Sequence, residues 1–585
     1  MYLTKNDFML ARDCSTKLFY KRKKYISSSG DDDLAQFLKD CWYMVFAMAK
    51  LLHPGGHEMV QGGDARKASK ATRAALAAGD TTLFGATVLY GHLRAQVDIL
   101  QCVGDVLHLI KVTSMSIDGT VPPVNLFRGK KGGIDSGARP SLEDVSFQAY
   151  VLARAFPALT VVPYLCVVDK SRAATTNSTY DNFRLHRSDG AWPDVSYSGD
   201  VDALQHEHVL ATVNVRDQVN QLLPALGPDI TRFAKYVSVV PFKRIPPQLG
   251  RHCKGCEYRY RAGFRECWQD LADVDPHILD LYHVKDDLVT ELVARGTSSL
   301  VDVSEDRLTG KVGVRQKIQL QYTRNETEFI ASDLPPLLEG HKYPRQFIDF
   351  EASRLALPFH VGMHPYETAT FQWSCHIVKE PGGPLLHSEW LNTEEVFPNF
   401  DFARSLMQAL DLNGTIYIWS LFERSQLRSI LRQYDAYGHR DEELRAWLVA
   451  ITQDDTFVDM LALARTHYFH PITKGNLSVK NVLAAAWVES KTLFEDEDFA
   501  EYVVRDDRGD LLSPYDTLPP VGLGDVDITV REGMGAVNAY KEIMFGDRSD
   551  PEAKQLYAKL LRQYCKLDTN AMVMIWRHWC EGSGN

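Results

Sequence analysis

The chain has no uninterrupted apolar stretch of about 18 residues, which leaves nothing long enough to form a membrane-spanning helix. Its first residues, MYLTKNDFML, lack a basic region followed by an apolar one, so no export signal is expected. Internal repeats and extended low-complexity tracts are also missing, which argues against a repeat array or a disordered chain. Positive charge is in deficit. With 65 Lys and Arg against 76 Asp and Glu, the net charge of -11 argues against a protein that coats nucleic acid by bulk attraction, though it allows a local basic groove. Cysteine is sparse, at 10 in 585 residues, and six of these (Cys41, Cys102, Cys166, Cys375, Cys565, Cys580) are scattered like small core residues. Reduced thiols and no leader predict a cytoplasmic protein with no membrane partner. What is abundant is apolar material: 45% of the chain, enough for cores in roughly two to four domains.

The remaining four cysteines are differently arranged. Cys14 lies in ARDCSTKLFYKRKK, and Cys253, Cys256 and Cys267 lie together in HCKGCEYRYRAGFREC. A C-x2-C pair with two further thiolates can complete a four-sulfur site for zinc or for an iron–sulfur cluster. A zinc ribbon usually draws its ligands from two nearby knuckles, whereas here one cysteine must cross a whole domain, so the split spacing favours the cluster. Zinc, and buried thiols without metal, are the alternatives. One cysteine in the first helix and a C-x2-C-x(n)-C after the core resembles the Cas4-like, RecB-type nucleases that carry a [4Fe–4S] cluster. The neighbouring Tyr258, Arg259, Tyr260, Arg261 and Trp268 fit that likeness.

Between these cysteines, TTLFGATVLY, HLRAQVDILQCV and DVLHLIKVTS predict a β-meander over 81–114, with Gly91 and Gly104-Asp105 as turns. Helices are expected over 67–78 and 141–155, and further strands over 159–168 and 235–242. Lys21–Lys24 and Arg128–Lys131 are candidate phosphate contacts, or simply solvated charged faces. Residues 271–342 read as short helices with polar breaks, a helical connector.

A new domain is expected from about residue 343. In FIDFEA, Asp349 and Glu351 alternate with apolar neighbours, so on a strand both carboxylates share one face and repel unless a cation lies between them. TIYIWSLFERSQLRSIL reads as a strand running into a helix that starts at Glu423, and LLRQYCKLDTNAMVMIW as a helix with Tyr564 and Asp568 at i, i+4. In order and spacing these fragments resemble the DEDD exonucleases of the ribonuclease H-like fold. PYETATFQWSCHIV stands where that fold has its second strand. FVDMLALAR, with Asp459, and GNLSVKNVLAAA stand where the segments after the second acid do. The resemblance implies two-metal phosphodiester hydrolysis with Mg²⁺ or Mn²⁺. It gives Asp349 as the bridging ligand, Glu351 and Asp568 as ligands of one ion, Glu423 as ligand of the second, and Tyr564 as the group that orients water. Glu423 stands where Asp is usual, and Trp419 where Asn is frequent.

The first domain departs from its likeness. A PD-(D/E)XK site needs an Asp on one strand and an acid-x-Lys on the next, but QVDIL and LIKVTS give Asp98, Lys111 and Thr113 in those places. A lone carboxylate facing a lysine suits a salt bridge better than Mg²⁺, so a degenerate site serving as a cluster-braced binding platform is expected. Asp144 and Gln148 on the following helix are possible compensating groups. End to end, the chain resembles bacterial proteins of the DUF2779 type. The resulting expectation is an α/β protein in three parts. Residues 1–270 form a restriction-endonuclease-like domain with an Fe–S knuckle, 271–342 a connector, and 343–585 a ribonuclease H-like exonuclease acting on DNA before RNA. The other readings are an inactive nucleic-acid-binding or regulatory subunit, or a structural subunit, working with partner proteins of a defence or repair system.

Overall fold

The computed structural model describes residues 1–28, 33–60, 63–175, 182–187, 193–239, 241–490, 492–523, 526–546 and 550–582. It is a mixed α/β protein that divides into two compact units, Met1–Gln248 with Arg354–Glu367, and Leu249–Ser353 with Thr368–Asn585. No helix among the described residues is long and apolar enough to cross a membrane.

The first unit is built on one mixed sheet. Its strands are β1 (Leu3–Thr4), β2 (His57–Glu58), β3 (Thr81–Tyr90), β4 (Leu93–Val103), β5 (Val106–Ile117), β6 (Thr160–Asp169) and β9 (Leu210–Asn214). A separate hairpin is formed by β7 (Phe183–His186) and β8 (Asp194–Tyr197). The order is β2-β3-β4-β5-β6-β9, with β1 parallel to β4. The meander is antiparallel, closed by Gly91 and Gly104 at φ 55° and 58°, a left-handed conformation that glycine adopts at no steric cost. The helix Arg139–Ala155 packs Leu142, Val145, Phe147 and Leu152 into the sheet's core. Where a strand is expected over 235–242, the chain is still helical, from Arg216 to Ser238. Leu222, Leu226, Ile230, Phe233 and Val237 recur at helical spacing and are all buried, so one continuous apolar stripe carries the helix through Val237. Residue 240 lies outside the described residues.

The second unit has strands β10 (Phe329–Ile330), β11 (Arg345–Ser353), β12 (Ala369–Val378), β13 (Leu385–Leu391), β14 (Thr415–Ile418), β15 (Phe457–Asp459) and β16 (Tyr468–Phe469). Its main sheet runs β13-β12-β11-β14-β15, antiparallel from β13 to β11 and parallel from β11 to β15. Alternation along β11 separates two cores. Ile348 and Phe350 pack with Phe402, Ile416 and Leu427 on one face, and Phe347 packs with Tyr417 and Leu567 on the other. That second face is covered by the helices Val479–Glu489, Gly533–Phe545 and Pro551–Glu581.

The division differs from the expected boundary near 270, since the cysteine knuckle falls in the second unit. The reason is apolar packing: Cys253, Phe264 and Trp268 share a buried cluster with Ile278, Leu279, Val289, Leu300 and Leu320 of the expected connector. The connector is likewise part of the second unit and not a separate body.

Candidate metal-binding active site

The period-2 alternation that sends Phe347 toward the long C-terminal helix sends Asp349 and Glu351 the same way. That helix returns Asp568, and one oxygen from each of the three carboxylates lies within 4.8 Å of the others. No other such group of acids, histidines or cysteines occurs among the described residues. Glu351 and Asp568 are 8% and 7% exposed, while Asp349 is partly open.

Three anions in so little water cannot all remain charged. Burial first, and the neighbouring Asp568 second, raise the Asp349 carboxyl well above its ordinary range. Glu351 is raised by burial and then by Asp349. Asp568 is raised less, to about 6, because burial is opposed by a hydrogen bond from Tyr515, by the charge of Lys480 and by a hydrogen bond from Tyr564. The Tyr515 hydroxyl donates to Asp568 Oδ1 at 2.5 Å. The Lys480 ammonium lies over the rings of Tyr515 and Tyr564, 5.0 and 5.4 Å from their centroids. Cys565 donates its thiol to Asp349 Oδ2 at 3.7 Å.

Glu423 stands at the start of the helix Phe422–Ala436, 2% exposed. Burial raises its pKa, and so do the charges of Asp349, Asp459 and Asp568. It is outside the 4.8 Å group, and its Oε2 is buried without a hydrogen-bond partner among the described residues. Ser420, at φ 92°, turns the chain between β14 and this helix, held by its N–H donating to Asp459 Oδ1 at 3.2 Å. Asp459 thereby serves as a cap, also accepting from Ala462 N–H at 3.1 Å. Trp419 points into packing, donating its indole N–H to Leu477 O at 3.2 Å.

This site fits hard divalent cations. Its donors are carboxylate oxygens, its one nearby ammonium leaves a charge deficit, and the orphaned Glu423 oxygen offers a second point of attachment. The structure thus brings Asp349, Glu351, Tyr564 and Asp568 together, with Glu423 near enough to feel the charges of Asp349 and Asp568. It adds Lys480, Tyr515 and Cys565, which no motif had marked. Lys480 and Cys565 lie inside quoted segments, while Tyr515 sits in a short turn, PYDT, with no pattern to find it.

The cysteines are less tightly gathered. Cys253 is buried in the turn Arg251–Gly255, Cys256 caps that turn, and Cys267 lies on the helix Ala262–Trp268. Cys253 and Cys267 pack in one apolar cluster. Tetrahedral zinc would hold sulfurs roughly 3.8 Å apart, and no such cysteine group occurs among the described residues. Cys14 ends the helix Lys5–Asp13 in the first unit.

In the first unit, Lys111 Nζ donates to Asp98 Oδ2 at 2.6 Å, and that same oxygen accepts Val112 N–H at 2.9 Å. Thr113 Oγ1 accepts Met115 N–H at 3.2 Å. Asp144 is held by Lys5 at 2.9 Å and Gln148 at 2.7 Å. Each carboxylate therefore already has a cationic partner. Of the basic runs, Lys21 and Arg22 are tied to Asp7 at 2.9 and 2.7 Å, and Arg128 Nε donates to Gly132 O at 3.4 Å.

A protein-family profile described as "Domain of unknown function (DUF2779)" matches residues 346–478. The matched stretch includes Asp349, Glu351 and Glu423 and stops short of Lys480 and Asp568. No curated protein and no solved structure matches the chain.

Proposed function

We propose that the second unit is a divalent-metal-dependent nuclease that hydrolyses phosphodiester bonds of DNA, and less readily RNA, as a 3′–5′ exonuclease. The observation that carries this reading is the convergence of Asp349, Glu351 and Asp568 within 4.8 Å, largely buried and with too little positive charge beside them. Sheet order supports it: a meander of antiparallel strands followed by two parallel ones, with acids on the first strand, after the fourth, and on a late helix, is the order expected of a ribonuclease H-like DEDD enzyme. Asp349, Glu351 and Asp568 would hold one Mg²⁺ or Mn²⁺, and Glu423 with Asp349 a second. Such ions supply charge opposite the attacking water and the leaving 3′ oxygen. Tyr564 and Tyr515 fix Asp568 by hydrogen bonds, and Lys480 holds the two phenols in place while limiting the repulsion among the acids.

The first unit is read as a restriction-endonuclease-like platform that binds without cutting, on the strength of the Asp98–Lys111 pair at 2.6 Å. Cys14, Cys253, Cys256 and Cys267 are read as the ligands of a [4Fe–4S] cluster that joins chain segments far apart in sequence. The thiolate chemistry of the donors and the shared apolar surroundings of Cys253 and Cys267 support that assignment. A reducing cytoplasmic setting and protein partners in defence or repair belong to the same reading. The test is a digestion assay on single- and double-stranded DNA and RNA with Mg²⁺ or Mn²⁺. Nucleotide release that needs the metal and disappears in Asp349→Ala supports the proposal, and tight binding without turnover in wild type would select the inactive regulatory reading.

A further inference from the structure

A cavity of about 1010 Å³ opens within the second unit, between the cysteine knuckle, the segment Asp280–Val284, and the loop leading into the helix Val479–Glu489. Five basic side chains line it, Arg251, Lys254, Arg259, Arg465 and Lys474, against the single acid Asp280. In a chain of net charge -11 this concentration of positive charge is local and needs an explanation. Three of the cations have acid partners: Arg251 with Asp286, Arg259 with Asp280, and Lys474 with Asp275. Lys254 and Arg465 form no ion pair among the described residues, though the charge of Asp280 acts on Lys254, and both are exposed.

Two buried guanidinium groups add an independent observation. Arg259 has a side chain only 10% exposed and makes a 2.6 Å bond to Asp280 and a 3.4 Å one to Lys254 O, yet its Nε is buried without a partner among the described residues. Arg315 is 4% exposed, with Nε and Nη2 unpartnered among the described residues, and it interacts electrostatically with Arg465 and with Tyr282 of the cavity wall. Arg315 spends only its Nη1 on a carbonyl, that of Tyr468, and stands behind the cavity wall, while Arg259 on the wall keeps one N–H unspent beside its bond to Asp280, so the wall holds buried donors in excess of its acceptors. On the rim stands Tyr260, 70% exposed at φ 62°, its ring 4.8 Å from the Arg259 guanidinium. An exposed aromatic ring beside cations is the pairing that single-stranded nucleic acid uses, with a base stacking on the ring and phosphates on the charges.

The cavity and the acid site share one element. Leu477 and Asn481 line the cavity, and between them Lys480 reaches to Tyr515 and Tyr564. The start of the helix Val479–Glu489 and the residue two before it thus serve both places, with Lys480 and Asn481 adjacent on the first turn. At the upper end of small-molecule pocket volumes, roughly 300–1,000 Å³, the cavity suits several linked nucleotides better than one.

We infer that this cavity is the track on which a single nucleic-acid strand lies as its end enters the acid site, with phosphates on Arg465, Lys254 and Lys474 and a base on Tyr260. The inference rests on the nuclease reading for its direction, though not for binding itself. Fluorescence anisotropy of a labelled 20-nucleotide single strand, in chelator and at several salt concentrations, tests it. The pair Arg465→Glu with Lys474→Glu is expected to weaken binding at least tenfold. The slope of log K against log salt should fall by about 1.4, since each lost phosphate contact on a single strand is worth roughly 0.7. Tyr260→Ala is expected to weaken binding without changing that slope. Arg465→Gln with Lys254→Gln, at two exposed positions, gives the same reading if charge reversal impairs folding.

Unchanged affinity and slope in folded variants overturn the proposal, as does equal competition by inorganic pyrophosphate, which would make this a small-anion site. Wild type that hydrolyses nucleic acid while the variants bind normally sinks the track alone. Variants that lose binding while wild type hydrolyses nothing leave the track standing and remove the nuclease reading.

Discussion

Asp568→Asn should make the metal-free protein more stable while removing its activity. The carboxyl is raised from 3.8 to about 6 by burial among other acids. At neutral pH that shift corresponds to about 3 kcal/mol of destabilisation, at about 1.4 kcal/mol per pH unit. An amide removes the charge but weakens one of two hydrogen bonds from the tyrosines, which returns about 1 kcal/mol. The net gain is about 2 kcal/mol. For a unit of roughly 320 residues the unfolding entropy is about 0.7 kcal/mol per kelvin, so Tm should rise by about 3 °C. The sign follows from linkage. With the folded pKa raised, the folded state binds more protons than the unfolded one between about pH 4 and 6, so this group's stabilising contribution is lost as pH rises through that window and stays lost above it. The advantage of Asp568→Asn over wild type should therefore be small at pH 4.5 and full at pH 8. Scanning calorimetry in chelator at both values reads it. Adding Mg²⁺ at 100 times its Kd should then stabilise wild type by about 2.7 kcal/mol and the variant by much less. A variant less stable than wild type at pH 8 in chelator would show that Asp568 is an ordinary satisfied core carboxylate.

Other outcomes follow from the same contacts. Asp98→Ala should leave hydrolysis unchanged, because Lys111 already neutralises that carboxylate; loss of cleavage with folding intact would mean the first unit has a working site. Tyr564→Phe should lower turnover by roughly 10²-fold with little change in Mg²⁺ dependence, in the range for a positioned proton-transfer group, and wild-type rates would remove the phenol from the mechanism. Anaerobically purified protein should be brown, and Cys256→Ser should bleach it and lower its stability. Metal analysis that finds one zinc and no iron would overturn the cluster.

The central strands of the second unit's sheet were legible because their signal is local, while the edge strand β13 was not read. FIDFEA alternates from Ile348 on and TATFQWSCHIV up to Ile377, and their pairing as β11 and β12 puts Asp349 opposite Ser374 and Glu351 opposite Gln372. The helix Pro551–Glu581 was legible for the same reason, through its apolar spacing. Boundaries were not, since a knuckle's allegiance depends on which apolar surface covers Phe264 and Trp268, and that surface lies at Ile278–Leu320, outside any local window. The strand expected over 235–242 failed differently. β-branched residues in KYVSVV suggested a strand, but Val237 completes a buried helical stripe that began at Val219, and burial along a long helix outweighs a few tenths of a kcal/mol of propensity.

The candidate site divides along the same line. Acids that must converge on one point leave a trace in sequence, since D-x-E on a strand and Y-x3-D on a helix are fixed by the periods of 2 and 3.6 residues. The groups that make those acids tolerable leave none. Lys480 acts across the unit on Glu351 and Asp568, and Tyr515 reaches Asp568 from a turn 53 residues away in the chain. Either could be replaced by another residue from another element with the same electrostatic effect, so neither is bound to a spacing. The family match ends at residue 478, just before Lys480, and so covers the half of the site whose positions strand geometry dictates. The physical character of the site, an acid cluster short of positive charge, emerges only when the late helix is laid across the sheet, and it is this deficit that makes a bound cation the expected missing component.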